Sequence, residues 1–155
     1  MSNLAVIGRL GVLRGQFGIL RIPEAVRREL GRLGHGAGRM AVDEAIGLGW
    51  LAVEPMADRD LAEVLATSLD PGEAEAIALA RQTRADILVM DETAGRAMAR
   101  KLGINVTGTL GLLLREVRAG RIASIGAEMD RLEKDAGFYI SSKVKRSFLE
   151  AAGEA

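Results

Sequence analysis

The chain has 155 residues, the length of one domain that can bury a single sizeable core. Its 21 basic and 21 acidic residues cancel, so any polyanion must be held by a local patch rather than by a global basic field. The absence of cysteine excludes disulfides, thiolate zinc sites and cysteine nucleophiles, and the single histidine, His35, excludes a histidine-rich metal site. We expect one domain over residues 1–155, without signal peptide or membrane span, in the cytoplasm.

Helical patterns alternate with short apolar runs bounded by glycine and proline, as in a mostly parallel sheet covered by helices. In the first half, this pattern predicts helices over 3–15, 23–34, 38–49 and 58–69 and strands over 18–22 and 50–55. In the second half, it predicts helices over 71–80, 92–103, 108–120, 124–136 and 142–152, strands over 86–90 and 104–106, and an edge strand over 138–140. The expected fold class is α/β.

The stretch LDPGEAEAIALA places two glutamates in a helix that is otherwise apolar nearly all round, which is typical of a buried helix. Asp70, Pro71 and Glu73 satisfy the capping-box pattern, so Glu73 is either a helix cap or a functional acid close to the core. At about 100° per residue, Glu73 and Glu75 point roughly 200° apart. One straight helix therefore cannot direct both carboxylates at the same ion.

Two further acids occupy unusual positions. Glu29 lies in the apolar stripe of its helix, where a carboxylate costs stability unless it is paired or reaches water at the boundary. Asp91 directly follows the predicted strand DILVM, at the strand end where open parallel sheets bind ligands, although it could also cap the next helix. Converging carboxylates without histidine or cysteine would form a hard oxygen site that suits Mg²⁺ or Mn²⁺ and phosphodiester hydrolysis.

Four segments in this order resemble a prokaryotic PIN-like family related to VapC-type toxins: IPEAVRREL, LDPGEAEAIALA, ADILVMDETAGRAMARKLG and NVTGTLGLLL. The resemblance covers nearly the whole chain. It implies a three-layer α/β/α sandwich with a mostly parallel central sheet and a metal-dependent ribonuclease. Carried over by position, the catalytic and metal-binding acids fall on Glu29, Glu73 and Asp91, with Glu75 as an additional metal ligand and Glu92 as an acidic neighbour.

The chain departs from the family pattern at its start. Such families open with a strand that ends in an aspartate and is followed by a helix that resembles SNLAVIGRLGVL. Because Met1 stands where that helix begins, we expect the first strand and its aspartate to be absent, which would leave a gap in the sheet with unpaired backbone groups. The true start lies upstream, or another segment or chain fills the gap, or the chain is a degenerate member.

The first functional hypothesis is a PIN-like, Mg²⁺- or Mn²⁺-dependent endoribonuclease, the toxin of a toxin and antitoxin pair, with an antitoxin as partner and a homodimeric assembly. RNA phosphates would contact Arg96, Arg100 and Lys101, which otherwise form a solvated helix face. Thr107 and Thr109 belong to VTGTLG, whose backbone donors at a helix N-terminus could bind an anion. The alternative is that this stretch is only a glycine turn with a threonine cap.

Two other hypotheses belong to different classes. A catalytically incomplete PIN-like module would bind RNA or a protein partner without cleaving it. A receiver-like phosphoacceptor domain would use the strand and aspartate of ADILVMDE, but the acidic pair and the lysine that such domains need are absent.

Overall fold

A computed structural model of the chain describes residues 1–57 and 59–155. Helices and short strands alternate along the described chain, and the expected α/β class with parallel strands is confirmed. In chain order the elements are α1 (Ser2–Val6), α2 (Gly11–Phe17), β1 (Leu20–Ile22), α3 (Glu24–Gly31), α4 (Ala37–Gly47), β2 (Leu51–Val53), α5 (Asp60–Leu65), α6 (Pro71–Gln82), β3 (Leu88–Val89), α7 (Thr93–Lys101), β4 (Val106–Thr107), α8 (Thr109–Arg118), α9 (Ile125–Ala136) and α10 (Ser142–Ala152).

The four strands form two separate parallel pairs, β1 with β2 and β3 with β4. In the first pair the Leu20 N–H donates to the Trp50 carbonyl at 2.7 Å, and the Ile22 carbonyl accepts from the Glu54 N–H at 2.9 Å. Because successive peptide groups of a strand point in alternate directions, the backbone groups of Arg21 face away from β2. One edge of β1 is therefore open.

The second pair repeats this arrangement. The Leu88 N–H donates to the Asn105 carbonyl at 2.8 Å and the Met90 N–H donates to the Thr107 carbonyl at 2.9 Å, so the backbone groups of Val89 face away from β4. The open edges of β1 and β3 border the same cavity.

The apolar side chains form two clusters, and the cavity between the strand pairs borders both. The larger cluster joins α1, α2, α3, α4, α8 and α9 to the first strand pair. Its most buried members include Leu4, Leu13, Leu30, Leu51, Leu112, Leu113, Ile125 and Leu132. The smaller cluster joins α5, α6 and α7 to β3 through Leu65, Leu69, Ala74, Ile77, Met90 and Ala99.

Three predicted elements differ from the observed ones. The expected helix over 3–15 is two helices, because Gly8 adopts a φ of +69° that ends α1. The expected strand over 138–140 is not a strand, and Tyr139 is 86% exposed. The helix expected over 58–69 is described from Asp60 to Leu65, with Val64 exposed in its last turn. Asp58 lies outside the described residues.

No helix in the described part of the chain is both long and apolar enough to cross a bilayer.

A buried ion cluster ties the N-terminal segment to α9. Glu128, only 3% exposed, accepts from Arg9 Nη2 at 2.6 Å and Nε at 3.0 Å and is paired with Arg131 at 3.3 Å. Burial alone would raise the pKa of Glu128, but the hydrogen bonds and charges of the two arginines lower it below its ordinary value of 4.5. The ionised carboxylate therefore stabilises the fold above that pH, and this stabilisation is lost as the pH falls through the lowered pKa.

We predict that Glu128→Gln lowers the free energy of unfolding at neutral pH by about 2 kcal/mol, less than for a fully buried pair because both arginines reach water. Chemical denaturation at several pH values measures this difference, which should shrink below the ordinary carboxyl pKa. The control Asp43→Asn removes the exposed partner of Arg39 and should cost under about 1 kcal/mol. Equal effects of the two substitutions would contradict a stabilising role for the buried cluster.

Candidate functional site

A cavity of about 460 Å³ lies between the two strand pairs. Its walls are β1, residues 86–92 around β3, and parts of α3 and α6, and residues 1–3 also border it. Four acidic side chains line it, one at the end of α3, one in the first turn of α6 and two directly after β3: Glu29, Glu73, Asp91 and Glu92. The structure thus brings three of the four predicted ligand residues to one cavity at the carboxyl end of β3.

The two carboxylate oxygens of Glu73 have different surroundings. Its Oε2 atom accepts from the Asp70 N–H at 3.2 Å, so the predicted capping box exists. Its Oε1 atom is buried and has no hydrogen-bond partner among the described residues. A buried carboxylate oxygen without a donor is costly, so the helix cap alone does not account for this side chain.

A glycine in α7 makes room for this carboxylate. A Cβ atom on Gly95 would lie 2.6 Å from Glu73 Oε1 and would also collide with Met90 Sδ. Glycine inside a helix costs about 0.5–1 kcal/mol relative to alanine, so a close approach is its physical reason here. The mid-helix glycine in ETAGRAMARKL was a signal for this contact that the sequence interpretation did not use.

Asp91 is held by the start of α8. Its Oδ1 atom accepts from the Thr109 N–H at 2.7 Å and its Oδ2 atom accepts from Thr109 Oγ1 at 2.6 Å. The alternative that Asp91 caps the following helix is wrong, because Glu92 occupies that position. Asp91 itself is the anion at the helix N-terminus formed by VTGTLG, so its carboxylate has a fixed orientation.

Glu29 is exposed, so the expectation that it lies in the buried stripe of α3 is wrong. The buried residues of that helix are Ala25 and Leu30. The Glu29 carboxylate reaches over the first turn of α6, where a Cβ atom on Gly72 would lie 3.1 Å from Glu29 Oε2. The missing side chain at position 72 lets Glu29 approach the helix that carries Glu73.

The structure does not bring Glu75 to the other acids. Its Oε2 atom accepts from the Ala25 N–H at 3.0 Å, and its Oε1 atom lies 4.0 Å from Arg28 Nη2. It lines a second cavity, of about 480 Å³, which the side chain of Glu73 does not border. The structure therefore places Glu75 away from the acids with which it was predicted to bind a metal, and the physical reason is the helical angle that separates positions 73 and 75.

The predicted phosphate-binding residues separate into two groups. Arg100 and Lys101 are exposed in the last turn of α7, and Arg96 donates from Nη1 to the Met90 carbonyl at 2.9 Å. Thr107 and Thr109 are at most 6% exposed. The two threonine side chains are therefore buried, and the Thr109 N–H, one of the backbone donors of the predicted anion site, donates to Asp91.

The acids supply only oxygen ligands, as Mg²⁺ and Mn²⁺ require, and the unpartnered Glu73 Oε1 is a free ligand atom. Among the described residues, however, no three histidine, cysteine, aspartate or glutamate side chains are grouped closely enough to hold a metal ion. Mg²⁺ typically takes one or two carboxylates and completes its shell with water and substrate phosphates. The cavity fits an ion of that type and not a closed site made only of protein ligands.

We predict that Gly95→Ala destabilises the protein by about 1–3 kcal/mol, because the added methyl group must displace Met90 and the buried Glu73 carboxylate. Thermal and urea unfolding measure this loss. The matched control is Gly15→Ala in α2, where a Cβ atom meets nothing within 4 Å and the better helix propensity should stabilise by about 0.5–1 kcal/mol. An unchanged stability of Gly95→Ala would show that Met90 and Glu73 can move aside without cost.

The partly buried position of Glu73 also makes the stability of the fold depend on pH. Burial raises its pKa above the ordinary value of 4.5, against the opposing hydrogen bond from the Asp70 N–H. The folded state therefore favours the protonated carboxyl of Glu73. The protonated form stabilises the fold at pH values below the ordinary pKa of 4.5, and this stabilisation is lost as the pH rises through the raised pKa. In EDTA at about pH 8, Glu73→Gln should unfold at higher urea than the native chain and lose this advantage in acid. Lower stability of Glu73→Gln at every pH would contradict this prediction.

The chain matches the model of the DUF3368 family, described as a PIN domain, over residues 1–154. No curated protein and no solved structure gave a significant match. PIN domains indicate a nuclease-type function on nucleic acids and generally use divalent metal ions. The chain therefore belongs to the PIN-domain family.

Proposed function

We propose that this PIN domain is a Mg²⁺- or Mn²⁺-dependent endoribonuclease whose metal site lies in the cavity between the strand pairs. The observation that carries the proposal is the buried, unpartnered Oε1 of Glu73 in the same cavity as Asp91 and Glu29. Burying this carboxylate oxygen costs free energy, and no donor among the described residues compensates for it. A bound cation would do so.

Glu73 and Asp91 would hold the ion, and Glu29 would complete the acidic set by moving from its place over Gly72. A bound Mg²⁺ or Mn²⁺ supplies a Lewis acid for a phosphoryl oxygen and favours ionisation of water at neutral pH. Thr109 orients Asp91 by donating to both of its carboxylate oxygens. Arg100 and Lys101 are exposed in the last turn of α7 and do not line the cavity, so they would bind phosphates of an RNA strand that extends beyond it.

We further propose that an extended segment belongs between β1 and β3. The open edges at Arg21 and Val89 both border the cavity, and one strand between them would pair with both. The resemblance to VapC-type toxins leads to the same expectation of a first strand, whose terminal aspartate would add one more carboxylate. A toxin role, with an antitoxin as partner and a homodimeric assembly, rests on that resemblance alone.

The second candidate is a module that binds RNA without cleaving it. It is favoured by one observation, the absence among the described residues of a ready three-ligand metal group. Both candidates predict RNA binding through Arg100 and Lys101, but only the nuclease needs an ion.

Calorimetric titration of Mn²⁺ into the purified chain tests the proposal. We expect binding by the native chain and a loss of affinity of at least about tenfold in Glu73→Gln and in Asp91→Asn, since each removes a charged ligand. The matched control is Glu44→Gln, an exposed position on α4 away from the cavity, which should bind like the native chain.

An RNA cleavage assay with and without EDTA then separates the two candidates. Cleavage that EDTA abolishes and Mn²⁺ restores supports the nuclease. No Mn²⁺ binding by the native chain, together with retained RNA binding, would overturn the nuclease proposal in favour of the binding module.

A further inference from the structure

Helix α3, which carries Glu29, has no cap of its own. It begins at Glu24 after Pro23, which has no polar side chain, and no side chain of the N-cap position accepts a hydrogen bond. The first N–H groups of a helix need acceptors from outside the helix. A carboxylate supplied by another element would both satisfy these donors and interact favourably with the positive end of the helix dipole.

Glu75 of α6 supplies this carboxylate. Its Oε2 atom accepts from the Ala25 N–H at 3.0 Å, in the first turn of α3, and its other oxygen lies 4.0 Å from the guanidinium of Arg28. The Glu75 side chain is 25% exposed, so the contact is partly shielded from water. Glu75 thereby fastens the start of α3 to the body of α6.

This contact lies beside the candidate metal site. Ala25 and Glu29 are four residues apart and share one face of α3, while Glu73 and Glu75 belong to one turn of α6. A second polar approach of the two helices is that of Glu29 itself over Gly72. If Glu29 moves to an ion, the hydrogen bond between Glu75 and Ala25 still joins the start of α3 to α6.

We propose that Glu75 is a positioning residue, which caps α3 from α6 and thereby holds Glu29 within reach of the ion at Glu73. This inference rests on the proposed metal site, and it assigns the second glutamate of GEAEA a role without metal contact. Partners that orient metal ligands typically change metal affinity by about 10–100-fold when they are removed.

The test is Mn²⁺ calorimetry on Glu75→Ala and Glu75→Gln beside the native chain. Glu75→Ala removes the acceptor for the Ala25 N–H and should weaken Mn²⁺ binding about tenfold. Glu75→Gln keeps a carbonyl acceptor and should stay within about threefold of the native affinity, whereas a true ligand would lose binding as Glu73→Gln does. Loss of binding in both variants would overturn the positioning role.

A double-mutant cycle with Glu29→Gln shows whether Glu75 acts through Glu29. The effect of Glu75→Ala on Mn²⁺ affinity should disappear in the Glu29→Gln background, and a purely structural role would leave the effect unchanged. Amide hydrogen exchange at Ala25 gives a readout without the ion, since Glu75→Ala should expose that N–H whether or not metal binds.

The two proposals fail separately in this experiment. If the native chain binds Mn²⁺ and Glu75→Ala binds equally well, the positioning role is wrong and the metal site remains. If the native chain does not bind Mn²⁺, the metal site is wrong, and the positioning role falls with it.

Discussion

The open edges of β1 and β3 are the constraint on which the rest of the molecule depends. A strand that pairs on one side only leaves every second peptide group without a partner in the sheet. Here two such edges, at Arg21 and Val89, face one cavity, and residues of both apolar clusters border it. The acids gather where the strands end, as is usual for ligand sites of parallel sheets.

The acids around this cavity have structural contacts as well as a proposed chemical role. Glu73 closes a capping box with one oxygen and leaves the other unpaired, while Asp91 uses both oxygens on Thr109. Glu75, which lines the second cavity, contacts α3 through both of its oxygens. A helix cap and a ligand are therefore not exclusive interpretations of an acid near a helix start, because a carboxylate has two oxygens and several lone pairs.

The molecule uses buried carboxylates in two opposite ways. Glu128 is surrounded by guanidinium groups, so its pKa is lowered and its charge stabilises the fold. Glu73 has no cationic partner among the described residues, so burial raises its pKa and its charge opposes folding. A metal ion would stabilise only the second kind of carboxylate, and this difference separates the structural acid Glu128 from the proposed metal ligand Glu73.

The sequence by itself determined the order and type of most elements, because helical and strand periodicity and the glycine and proline positions are local properties. It also excluded one ion shared by Glu73 and Glu75, because the helical angle is local too. Only the tertiary structure showed that Glu29 is exposed, that Thr109 holds Asp91 and that Glu75 caps α3. Those facts depend on contacts between residues 18 to 50 positions apart, and local pattern carries no information about which distant groups meet.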